Sequence, residues 1–95
     1  MRIKEQTIKF LKNKIRKVVP GAEIYLFGSR VDDQARGGDI DLLILSAKRV
    51  DPKTIRGIKR DFFKKFGWQK VDIVSFCYSD QSPFKQLVLS DGIKL

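Results

Sequence analysis

The sequence contains no histidine and a single cysteine. Lacking His, it lacks the side chain that most often serves as general base and as zinc ligand near neutral pH. With Cys77 alone, no intrachain disulfide can form, and a reducing compartment fits. That thiol lies in an apolar stretch with no imidazole to activate it, so it reads as core filler and not as a nucleophile. Long apolar runs are missing too. The longest, Leu42-Leu43-Ile44-Leu45, is far short of the roughly 20 residues that cross a bilayer. Met1-Arg2-Ile3-Lys4-Glu5 opens an amphipathic pattern without the apolar segment of a secretory leader, so the expectation is a cytoplasmic protein with no membrane role. Any catalysis is left to carboxylates and metal ions.

What is abundant is positive charge. Twenty Lys and Arg stand against eleven Asp and Glu in 95 residues, a net charge of +9. Such a balance suits polyanionic partners (nucleotides, nucleic acid or an acidic protein surface), and equally suits a well-solvated surface. The apolar fraction of 42% and the length predict one folded domain over residues 1–95, large enough for a single core.

Hydropathy spacing divides the chain into six elements. Ile8, Leu11, Ile15 and Val18 recur at helical spacing between Ile3 and Val19, and Pro20-Gly21 stops that helix. Ala22 to Phe27 reads as a strand, followed by Gly28-Ser29-Arg30 and a polar loop to Gly38. Asp39 to Ser46 is apolar on both faces after its acids, the pattern of a central strand. Asp51-Pro52 starts a second helix with Asp as N-cap and Pro at the first position, Ile55, Ile58, Phe62 and Phe66 as its buried stripe and Gly67 as its stop. Gln69 to Phe76 is a third strand, and Ser82-Pro83 opens a short last helix before a turn at Ser90-Asp91-Gly92. The order α-β-β-α-β-α predicts an α/β (α+β) fold: a small mixed sheet of about three to four strands flanked by helices. Asp39 to Phe76 forms a β-α-β unit, most simply a parallel crossover.

Three aspartates interrupt these strands: Asp39, Asp41 and Asp72. Aspartate is depleted in strands, and a buried unpaired charge is costly, so each acid needs a partner. Salt bridges to nearby lysines are one answer. Metal is the other, and three acids near a Gly-Ser turn favour it. Asp39 and Asp41, at i and i+2, project from the same strand face about 6–7 Å apart, a spacing that can hold Mg²⁺ through oxygen ligands. Backbone N–H groups around Gly28 and Ser29 can grip a phosphate, and Arg30 or Arg36 can neutralise a pyrophosphate leaving group. Asp72 can complete a second ion site or accept a proton. No Gly-Lys-Ser/Thr ends the glycine segment, which excludes a P-loop ATPase.

Leu26-Phe27-Gly28-Ser29-Arg30, then Gly38-Asp39-Ile40-Asp41-Leu42-Leu43-Ile44, then Val71-Asp72-Ile73-Val74, resembles the DNA polymerase β-type nucleotidyltransferase superfamily. Within it, the pattern is most similar to the minimal nucleotidyltransferases of bacteria and archaea, among which are antitoxins of HEPN-type toxins. The resemblance covers roughly residues 20–76. It implies that Gly28 and Ser29 bind phosphate, that Asp39 and Asp41 bind Mg²⁺, and that Asp72 is the third carboxylate. Two departures stand out. Gly38 occupies the place where close relatives carry Ser, and Ala35-Arg36-Gly37 comes later than the usual Ala-Arg-Gly, leaving Arg30 and Arg36 both as candidates for the nucleotide.

Larger members of this superfamily bind the acceptor with an added domain, for which this chain has no room. The resemblance therefore implies MgATP-dependent transfer of AMP to a hydroxyl of a second protein, a HEPN-type toxin, within a hetero-oligomer. The runner-up is a non-catalytic antitoxin acting by contact alone. An antibiotic-modifying transferase and a basic RNA-binding module rank below both. Lys53, Arg56, Lys59, Arg60, Lys64 and Lys65 crowd the second helix and read as a solvated face ahead of a nucleic-acid groove. Phe62, Phe63, Phe66 and Trp68 read as core.

Overall fold

A computed structural model describes residues 4–28, 39–67 and 69–95. The elements are α1 (Glu5–Val18), β1 (Glu23–Phe27), β2 (Ile40–Ser46), α2 (Pro52–Phe66), β3 (Val71–Cys77), α3 (Pro83–Asp91) and β4 (Ile93–Lys94). The six expected elements are present. The seventh, β4, forms where the sequence suggested only a tail. The sheet order is β3-β2-β1-β4. β1 runs antiparallel to β2 and to β4, while β2 and β3 are parallel, as the crossover reading required.

Alternation along the strands sorts side chains onto two unequal faces. Ile24 and Leu26 of β1, Ile40, Leu42 and Ile44 of β2, and Val71 and Ile73 of β3 point to one face. There they meet Leu11 and Ile15 of α1 and Ile58 and Phe62 of α2, which together form the main core. Leu43, Leu45, Val74, Phe76, Tyr25 and Phe27 point the other way and share that face with Val88 and Leu89 of α3. β2 is buried on both faces, which explains its continuous apolar run.

The helix ends follow local chemistry. Lys53 N–H donates to Asp51 Oδ1 at 2.7 Å, and Gly67 ends α2 at φ +73° with its N–H on Phe63 O. Ser82 caps α3, its Oγ accepting from Lys85 N–H at 3.3 Å. Lys85 is itself buried, and its ammonium donates to the carbonyls of Tyr78 (2.7 Å) and Asp80 (2.9 Å), tying α3 to the end of β3. In α1 the inward stripe is Thr7, Leu11 and Ile15. Val18, the last of the apolar residues at helical spacing, is 45% exposed, while Phe10 packs against Phe62 and Phe66. Among the expected core aromatics, Phe62 is fully buried and Phe63 is half exposed, while Trp68 lies outside the described residues.

Gly57 sits inside α2, and a Cβ there would meet nothing closer than the Arg60 guanidinium at 3.7 Å. Helix interiors penalise glycine by about 1 kcal/mol relative to alanine, through chain entropy. Gly57→Ala is expected to raise stability by about 0.5–1 kcal/mol, a gain of several degrees in Tm on a domain of this size. Thermal unfolding followed by circular dichroism checks this, and an unchanged or lower Tm would contradict it.

Candidate functional site

The strand register brings the acids together. In the parallel β2–β3 pair Asp41 lies directly opposite Asp72, and in the antiparallel β1–β2 pair Asp41 lies opposite Phe27. Asp41 and Asp72 therefore project from the second, less covered face, beside Phe27. Asp39 precedes β2 by one residue and shares the parity of Asp41.

Gly28 closes this corner. Its φ is +77°, a left-handed conformation in which side chains are strained, and a Cβ on it would overlap Asp41 Oδ2 and come within 3.3 Å of Asp41 Cγ. Glycine is thus demanded twice, by the turn and by the carboxylate against it. Ser29, Arg30 and Arg36 lie outside the described residues.

Electrostatics mark the same spot. Burial raises the Asp41 carboxyl above its usual range; the charges of Asp72 and Asp39 push it further, and Lys70 partly opposes them. The Lys70 ammonium stands between two of the acids, 3.5 Å from Asp39 Oδ2 and 3.9 Å from Asp72 Oδ2. All three partners are substantially exposed, so these bridges contribute little to stability. Their meaning is positional: a cation settles where negative charge converges. Among the described residues no group of three acids, cysteines or histidines closes into a metal-ready cluster. In this arrangement it is the amine that neutralises Asp39 and Asp72. Lys70 was not singled out from the sequence, although its place two residues before Asp72 puts both on one side of an extended chain.

Next to Gly28 a pocket of about 360 Å³ runs along α3, lined by Phe27, Phe84, Leu87 and Val88, with Asp91 and Gly92 at its end. Phe27 and Phe84 meet edge to face at 5.4 Å. An acidic patch bordered by an apolar, aromatic-lined recess can hold a cation on one side and a flat or apolar group on the other. No helix among the described residues is long and apolar enough to cross a membrane.

Comparison with known proteins agrees with this fold. No curated protein matches the sequence. Among solved structures, a mutant of the toxin–antitoxin MntA-HpeT is 25% identical with a TM-score of 0.74, over 99% of this chain and 72% of that one. A toxin–antitoxin structure with AMP-PNP is 26% identical with a TM-score of 0.71, over 97% of this chain and 72% of that one. The complex of a tri-AMPylated Shewanella oneidensis HEPN toxin with its MNT antitoxin has the same fold, at 22% identity and a TM-score of 0.70 over 97% of this chain and 71% of that one. The family described as "Polymerase beta, Nucleotidyltransferase" matches residues 5–95, nearly the whole sequence, and the chain belongs to that family.

Proposed function

We propose that this chain, as one minimal nucleotidyltransferase domain over residues 1–95, transfers AMP from ATP to a hydroxyl of a partner protein, with a HEPN-type toxin as the partner. The observation that carries this reading is the convergence of Asp41, Asp72 and Asp39 on one sheet face, against a glycine that leaves no space for a side chain. A pure binding surface has no use for like charges gathered around Asp41 so that, beyond its burial, they raise its pKa further. The solved relatives, one holding AMP-PNP and another an AMPylated toxin, supply the chemistry by analogy.

The residues fit a divalent ion. The donors are hard carboxylate oxygens suited to Mg²⁺, and the Lys70 ammonium already stands as a cation between two of them. Asp39 and Asp41 would hold the nucleotide-bound ion, and Asp72 would complete a second ion site or take the acceptor proton. Bound there, Mg²⁺ would neutralise triphosphate charge and lower the pKa of the attacking hydroxyl. Gly28 and Ser29 would offer N–H groups to the phosphates, with Arg30 or Arg36 on the departing pyrophosphate. The acceptor oxygen attacks the α-phosphorus, the bond to the β-phosphate oxygen breaks, pyrophosphate leaves, and the hydroxyl proton passes to a carboxylate.

The Lys70 bridges favour a second reading, a non-catalytic antitoxin whose acids are neutralised internally and which acts by contact alone. One experiment separates the two. Incubation with MgATP and the partner protein is expected to add AMP-sized mass increments to the partner, lost when Asp39→Ala and Asp41→Ala are combined. No increment, with neutralisation of the partner surviving in the double variant, would establish the contact-only reading instead.

A further inference from the structure

The positive charge of this protein is confined to one layer. α1 carries five Lys and Arg against Glu5, and α2 carries six against Asp61. The two helices therefore hold the whole net charge of +9, and the remaining residues balance to zero. Both helices pack on the sheet face opposite Asp41 and Asp72. The charge cannot be explained as part of the carboxylate site.

On this layer, among the described residues, Lys14 alone is paired with an acid, Asp61, at 2.7 Å. Lys65 lies over the Phe10 ring. Lys9, Arg16 and Lys17 of α1 and Lys53, Arg56, Lys59, Arg60 and Lys64 of α2 are exposed. Several stand three or four residues apart, as Arg56 does from Lys59 and Arg60, and Arg60 from Lys64, a spacing at which like charges destabilise a helix. Such rows are relieved by an external polyanion.

We infer that the α1–α2 layer is a docking surface for the phosphodiester backbone of nucleic acid, separate from the carboxylate site. Helices of 14 and 15 residues span about 21–23 Å and lie about 8–10 Å apart, a plate as broad as a duplex. A duplex carries one charge per ~1.7 Å of axis on all its sides, so the one side that meets the plate offers roughly half a dozen phosphates. Packed side by side, the two helices are too wide to enter a major groove about 12 Å across, so they meet phosphates and not base edges. A membrane is a poorer match. The apolar stripes an interfacial helix needs, Leu11 and Ile15 with Ile58 and Phe62, are turned into the core.

The test is fluorescence anisotropy of the full chain with a labelled 24-base-pair duplex of arbitrary sequence, in RNA and DNA arms, across salt concentrations. Four or five phosphate contacts give a log–log salt slope of about −4, hence a loss of affinity on the order of 10²-fold between 50 and 200 mM salt. Arg56→Glu with Lys59→Glu is expected to weaken binding at least tenfold and flatten the slope by about two. Arg56→Lys with Arg60→Lys is expected to retain binding, and the melting temperature of each variant confirms that it folds. Equal affinity for RNA and DNA supports backbone contact. The inference is overturned by a flat salt dependence, by indifference to charge reversal, by a strong preference for one base sequence, or by equal or tighter binding to anionic lipid vesicles or polyglutamate.

Discussion

Gly28→Ala is expected to lower AMP transfer on the order of 10²-fold while costing about 1–2 kcal/mol of stability. The stability cost comes from placing a Cβ on a residue at φ +77°. The activity loss has a different origin. The new methyl would overlap Asp41 Oδ2, so the carboxylate must leave its present position, and displacement of a reacting group by about 1 Å is enough for such a loss. Two other glycines isolate the effect. Gly21 and Gly67 have φ of +82° and +73°, yet a Cβ on either meets nothing within 4 Å. Gly21→Ala and Gly67→Ala should therefore show the same conformational penalty in thermal unfolding with transfer rates close to the parent. If all three variants lose activity in proportion to stability, Gly28 has no special relation to the site. If Gly28→Ala keeps the parent rate, Asp41 is not where the chemistry requires it.

The second large effect is on folding. Phe62→Ala should cost about 3–5 kcal/mol, because the ring is fully buried, lies 4.8 Å from Phe66 and 6.1 Å from Phe10, and would leave a void between α2 and the sheet. A domain of this length has about 5–14 kcal/mol in total, so much of it is lost and Tm falls by roughly 12 °C or more. Phe63→Ala, one residue on but half exposed, should cost about 1 kcal/mol or less. Chemical denaturation of the two variants side by side checks the contrast, and similar losses would place the core boundary elsewhere.

The elements legible in the sequence are those whose signals are strongly periodic or capped. The double-sided run of β2, the Asp51-Pro52 start and Gly67 stop of α2, and the Ser82-Pro83 start of α3 each have a local physical cause, and each is present. β4 was not legible because two residues carry no period; it exists only because Leu26 and Tyr25 offer partners. The inward face of α1 is only partly encoded by hydropathy. Stripes through 8, 11, 15, 18 and through 7, 11, 15 share their middle residues, and hydropathy prefers Ile8 and Val18 where the packing chose Thr7. In the candidate site, Asp39, Asp41, Asp72 and Gly28 could be named from the sequence, and the strands bring them to one corner. The steric dependence of Gly28 on Asp41 and the approach of Lys70 to Asp39 were not legible, since both depend on a strand pairing that no single segment encodes.

That register has a consequence for how the site is maintained. Asp41 and Asp72 face each other because Leu42 pairs with Ile73 and Ile40 with Val71, which lock the apolar alternation of two strands against the same helices. A slip of one residue would rotate Asp72 into the cluster around Phe62 and turn Val71 outward, at a cost of several buried side chains. Misregistered chains thus fail as folded proteins before they can persist as inactive ones. The hydrophobic core proofreads the alignment of the carboxylates, and substitutions that loosen β3 are expected to surface first as loss of soluble protein.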